Sequence, residues 1–111
     1  MEVLFATRRL QRRLNSTAEA RKVHGDVMAK RIGLRLQQMQ AARSLDDLRN
    51  LPGRWHELTG DLKGSLACDL VGPQRLIFRP TAEPPPRRPD GSLDWSAVES
   101  VTVSDVDDYH G

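Results

Sequence analysis

The hydrophobic pattern of this chain changes period once, and that change constrains the fold more than any other feature. Between residues 16 and 42, Met28, Ile32, Leu36 and Met39 recur at i, i+4, i+8 and i+11, which is one stripe of a helix. From Arg54 onward the period falls to two, and Leu66, Cys68 and Leu70 alternate with polar or small neighbours on one strand face. Helical and strand runs that segregate along a chain, rather than alternate, indicate an α+β fold.

Local signals fill in the order. Val3-Leu4-Phe5-Ala6 is a short apolar run suited to a buried strand. Thr7 caps a brief helix from Arg8 to about Leu14, which Asn15-Ser16 breaks. Ser16-Thr-Ala-Glu19 is a capping box that opens a long helix to about Ala42. Val23, Val27 and Leu34 form a second apolar stripe there, for the first helix or a partner chain to cover. Trp55–Leu58, Ser65–Val71, Arg75–Arg79 and Ser100–Ser104 read as strands. The segment 80–93 begins with five prolines in ten residues, which excludes a central strand and marks a loop insertion. The expectation is one domain over 1–111: an N-terminal strand, two helices, then a mainly antiparallel sheet of three to four further strands.

The chain has no apolar run of the ~20 residues a membrane helix needs. Its start carries Glu2 where a signal peptide carries a base. One cysteine excludes an internal disulfide framework. The expectation is a cytoplasmic protein without membrane contact. Net charge is +2 but unevenly spread: residues 1–44 sum to +7 and residues 45–111 to −5. The basic half, with Arg8, Arg9, Arg12 and Arg13 close together, fits an anionic partner as well as a solvated helix face.

The residues with chemistry cluster in the acidic half. His56 and His110 fall at or near strand ends, and the sequence ends Asp108-Tyr109-His110-Gly111. Two imidazoles and a phenol can supply a general base and a general acid near neutral pH. Arg75 or Arg79 can hold a phosphate and offset its growing charge. Such a set cleaves RNA without a metal, because the 2′-hydroxyl is the nucleophile. His56, Cys68, Asp108 and His110 have no recognised zinc spacing, and Cys68 shares an apolar strand face, so neither a metal, a cofactor nor a thiol nucleophile is expected. His24 reads as a surface residue of the long helix. Trp55 and Trp95 suit packing more than base stacking.

Several blocks in order resemble a known family. Ala41-Ala42-Arg-Ser-Leu-Asp-Asp-Leu-Arg49, Pro52-Gly53-Arg-Trp-His-Glu-Leu-Thr-Gly-Asp61, Lys63-Gly64, Pro73-Gln-Arg-Leu-Ile-Phe78 and the final Asp108-Tyr109-His110 are similar to the HigB toxins of the RelE/ParE superfamily. The resemblance implies a ribosome-dependent endoribonuclease that cuts messenger RNA in the decoding site. It implies that His56 and His110 transfer protons, that Tyr109 orients the nucleotide, that Asp108 holds a histidine or the tyrosine, and that Arg75 binds the scissile phosphate. Arg54, Lys63 and Arg79 would contact RNA.

The family's partners are the ribosome with its mRNA and a cognate antitoxin, a HigA-like helix-turn-helix protein. DNA would be reached only through that antitoxin, since residues 8–42 do not make a helix-turn-helix of their own. Two positions depart from the family. Thr59 stands where many relatives carry a lysine that stabilises the charged phosphate, which implies slow cleavage unless Lys63 or Arg54 supplies that charge. The 80–93 insertion matches a longer subgroup with Gly91-Ser-Leu-Asp-Trp-Ser96 before the last strand. The alternative reading is a catalytically weak or inactive binding module of the same fold, either a gyrase-targeting ParE-like toxin or a co-repressor with its antitoxin.

Overall fold

A computed structural model describes residues 1–108, and the order of elements in it follows from the local signals. Strand β1 (Glu2–Phe5) leads into helix α1 (Arg8–Asn15), where the Thr7 hydroxyl accepts a hydrogen bond from the Leu10 amide at 3.0 Å. Ser16 caps α2 (Thr17–His24) by accepting from the Glu19 amide. Helix α3 (Asp26–Ala41) follows, then β2 (His56–Glu57), β3 (Leu66–Asp69), β4 (Gln74–Pro80) and β5 (Ser100–Asp108). No described helix is long and apolar enough to cross a membrane.

The single long helix expected over residues 16–42 is in fact two. Gly25 divides it, with φ at +83°, a conformation that costs a residue without Cβ little. Its amide donates back to the Arg21 carbonyl and ends α2, while its carbonyl accepts from Ala29 and begins α3. The chain therefore has three helices in place of two.

The sheet runs β1-β5-β4-β3-β2. It is mixed, which corrects the expectation of a mainly antiparallel sheet. β1 pairs parallel with β5, from Glu2 beside Ser100 to Phe5 beside Val103, and the other three pairings are antiparallel. A parallel pair needs a long crossover, and the three helices and three strands between β1 and β5 supply it. The α+β class stands.

One face of the sheet is the core. Met28, Ile32, Leu36 and Met39 of α3 meet Leu66, Cys68, Leu76, Phe78, Val101 and Val103 of the strands. The expected helical stripe and the expected Leu66/Cys68/Leu70 face are both buried there. Burial raises the Cys68 thiol to about 12, which keeps it protonated and inert at neutral pH. Trp55 and Trp95 are buried as well, and the Trp55 ring meets Phe78 edge-on at 5.9 Å. The second apolar stripe stays uncovered, with Val27 69% exposed and Val23 and Leu34 also open.

A buried cation ties the two layers together. Arg35 on α3 is only 4% exposed. Its Nε donates to the Asp69 carbonyl at 2.8 Å, and its Nη1 donates to the Pro52 carbonyl at 3.1 Å and to Gln38 Oε1 at 3.0 Å. One turn earlier, Arg31 Nη1 donates to the Leu70 carbonyl at 3.2 Å. Gly53 lies against this guanidinium so closely that a Cβ there would be 3.0 Å from both Arg35 Cζ and Trp55 Nε1, at a φ of +128°. Gly53→Ala should therefore destabilise the fold by about 1–3 kcal/mol, seen as a lower urea midpoint. An unchanged midpoint would show that the corner relaxes without loss.

Candidate active site on the outer face of the sheet

Strand alternation decides which side chains can meet. His56, Ala67 and Ile77 are register partners across β2, β3 and β4. Ala67 and Ile77 pack with Leu58 in a small cluster separate from the main core. This row therefore lies on the outer face, away from the helices, and by the two-residue period Asp69, Arg75 and Arg79 lie on that face too.

His56 is fixed by its own strand entry. Its Nδ1 donates to the Arg54 carbonyl at 2.6 Å, which leaves Nε2 as the acceptor of the neutral ring. That carbonyl is aimed by an uncommon backbone conformation: Arg54 has φ at +49°, in the left-handed region that residues with a Cβ seldom adopt. The Arg54 guanidinium reaches Asp69 at 3.3 Å, an exposed pair that contributes little to stability.

Arg75 is held differently. Its Nε donates to Asp107 Oδ1 at 2.9 Å across the β4–β5 ladder, and the side chains are only 13% and 30% exposed. A hollow of about 270 Å³ brings His56, Arg75 and Arg54 together, with Glu57, Leu58, Thr59 and Leu62 around its rim. An imidazole with a free acceptor nitrogen beside two guanidiniums can bind a phosphodiester and take a proton from an adjacent hydroxyl.

The other expected residues are distributed around this hollow. Lys63, just after the 3-10 turn Gly60–Leu62, lines a neighbouring hollow of about 620 Å³. Arg79 lines a third, of about 300 Å³, again with Lys63. Asp108 pairs with Gln74, so alternation puts it on the face opposite Asp107 and Arg75. Tyr109 and His110 lie outside the described residues. Among the described residues, no group of three or more His, Cys, Asp and Glu side chains is placed to hold a metal ion. His24 is half-buried at the end of α2, and burial first, then the Arg13 charge, lowers its pKa, so it is neutral at pH 7 and remote from the hollow.

Asp107 is a residue that sequence reasoning missed, and a β-bulge is the reason. The β4–β5 register shifts between Ile77 and Phe78, leaving Ser104 as the extra residue of β5. Without that insertion Val106 would oppose Arg75 and Asp108 would share its face; the bulge exchanges Asp108 for Asp107. The short Ser-Val-Thr-Val-Ser alternation has no signal for such a slip.

The Nδ1 contact gives a direct expectation. In the neutral ring of His56 the proton should sit on Nδ1, readable from the two ring ¹⁵N shifts. A ring protonated mainly on Nε2 would mean that the Arg54 carbonyl does not orient it. Against known proteins, the chain matches no family model and finds no match among curated proteins.

Proposed function

We propose that this chain is a HigB-type toxin, a metal-independent endoribonuclease that enters the ribosomal decoding site and cuts mRNA there. The observation that carries the reading is the outer-face hollow: an imidazole anchored through Nδ1, with Nε2 left as acceptor, beside the Arg75 and Arg54 guanidiniums. The block resemblance around Pro52–Asp61 and at Asp108-Tyr109-His110 supports it independently.

In this reading His56 Nε2 takes the proton of the 2′-hydroxyl. The 2′-oxygen attacks the adjacent phosphorus in line, forming the O2′–P bond as the P–O5′ bond breaks. His110 returns a proton to the departing 5′-oxygen, so the products are a 2′,3′-cyclic phosphate and a 5′-hydroxyl. Arg75 meets the charge that builds on the phosphate oxygens. Asp107 sets the direction of that guanidinium while offsetting part of its charge. The antitoxin would act as the partner that blocks ribosome entry, and the basic N-terminal half would face ribosomal RNA or an acidic antitoxin surface.

Cleavage in a purified translation system tests the reading. Ribosome-dependent cuts with 5′-hydroxyl ends are expected, and His56→Ala should slow them ~10²–10⁴-fold without moving the urea midpoint. Absence of cleavage by the folded wild-type chain overturns the reading in favour of the binding module. Thr59 lines the His56 hollow, so Thr59→Lys adds a cation beside Arg54 and Arg75, each of which is ion-paired. It should raise the cleavage rate by about tenfold or more. An unchanged rate would show that an existing base already fills that role.

A further inference from the structure

The proline-rich insertion builds a wall. Arg87 and Leu93 form an antiparallel bridge, the Arg88 amide donates to the Ser92 carbonyl at 2.8 Å, and the Asp94 amide donates to the Pro86 carbonyl at 3.0 Å. Arg87 Nη1 reaches back to the Gly91 carbonyl at 2.9 Å. The segment is thus a tight hairpin stiffened by prolines, with little conformational entropy left to lose on binding a ligand.

Between this hairpin and the turn at Gly60–Ser65 lies the hollow of about 620 Å³, a volume in the range of small-ligand sites. Its surface combines two chemistries. Half-buried Pro85 and Leu93 supply apolar surface over a floor of buried Leu58, Leu66 and Pro80, while the cations Lys63 and Arg87 stand beside them. Lys63, Arg79 and Arg87 also share the adjoining hollow, where Glu83 is the one acid among the described residues. The acid in the larger hollow, Glu57, accepts a hydrogen bond from Trp95 Nε1 at 3.0 Å and is turned to that partner.

This hollow shares Glu57, Leu58 and Thr59 with the His56 hollow, so the two meet around the outer edge of β2. A flat apolar moiety with an attached anion, reaching from one hollow to the next, describes a nucleotide of a single RNA strand. We infer that the hollow between the proline hairpin and the 60–65 turn is a nucleotide subsite, holding the base of a residue flanking the scissile phosphate while Lys63 and Arg87 hold its phosphate. The inference rests on the ribonuclease reading for the identity of the polymer, and it gives the insertion a role in choosing the sequence around the cut.

The test uses the full chain and a non-cleavable 2′-O-methyl trinucleotide, followed through leucine methyl signals. The Leu93 and Leu58 methyls should shift together, with a dissociation constant on the order of 1 mM. Arg87→Gln, at an exposed position, should weaken binding about tenfold, and His56→Ala should leave the Leu93 shift in place. Shifts confined to Leu62, which lines the His56 hollow and not this one, would overturn the subsite while leaving the ribonuclease reading intact. Shifts at Leu93 from a wild-type chain that cuts no mRNA would uphold a nucleotide site and overturn the ribonuclease. Shifts at Leu93 produced by an acidic peptide and not by the trinucleotide would overturn the subsite in favour of a protein ligand.

Discussion

The buried guanidinium of Arg35 is the interaction on which the rest of the molecule depends. It links α3 to the 52–54 corner and to the end of β3 through the Pro52 and Asp69 carbonyls, the first of which also accepts from Trp55 Nε1 and Gln38 Nε2. A charge removed from water is tolerated only when its donors are used, and here Nε and Nη1 each have defined acceptors. Burial lowers the pKa of Arg35 from its ordinary value, opposed in part by Cys68 and Asp69, yet an arginine stays charged in any such setting. The corner it fixes includes Gly53 and the left-handed Arg54, and the Arg54 carbonyl then sets the imidazole of His56. A residue on the core side of the sheet thereby controls a ring on the outer side.

The outer face follows a second constraint, the balance of opposite charges in a shallow hollow. Arg54 faces Asp69 and Arg75 faces Asp107, so each guanidinium is oriented before any ligand arrives. Orientation has a drawback, because a carboxylate at 2.9 Å competes with a phosphate for the same donors. The position where an added lysine would relieve this competition is occupied by Thr59. The geometry therefore favours precise placement over strong charge stabilisation.

Much of this was legible in the sequence where one period or one cap decides the outcome. The Met28/Ile32/Leu36/Met39 stripe, the Thr7 and Ser16 caps and the Leu66/Cys68/Leu70 face are all local patterns with one physical meaning. The break at Gly25 was not legible, since a glycine inside an apolar period is compatible with a continuous helix. The parallel pairing of β1 with β5 and the bulge in β5 depend on partners distant in sequence, which periodicity does not encode. Arg35 reads as one more charge of a basic helix until Pro52 and Asp69 are brought beside it. At the candidate site, residue type offered His56 and either Arg75 or Arg79, the family resemblance selected Arg75, and Asp107 required the register.

The parallel ladder between β1 and β5 has a consequence for the birth of the protein. Glu2 sits opposite Ser100, so the first strand emerges from the ribosome long before its hydrogen-bonding partner exists. Throughout synthesis of the intervening residues the edge of β1 is unmatched, and Arg75 lacks Asp107. Native contacts of such long sequence separation form late and slowly. Until residues 100–108 have emerged, a nascent copy therefore has neither a closed sheet nor Asp107 beside the guanidinium in the hollow. A protein whose proposed target is the translating ribosome acquires this hollow only once its fifth strand has left the machine that made it.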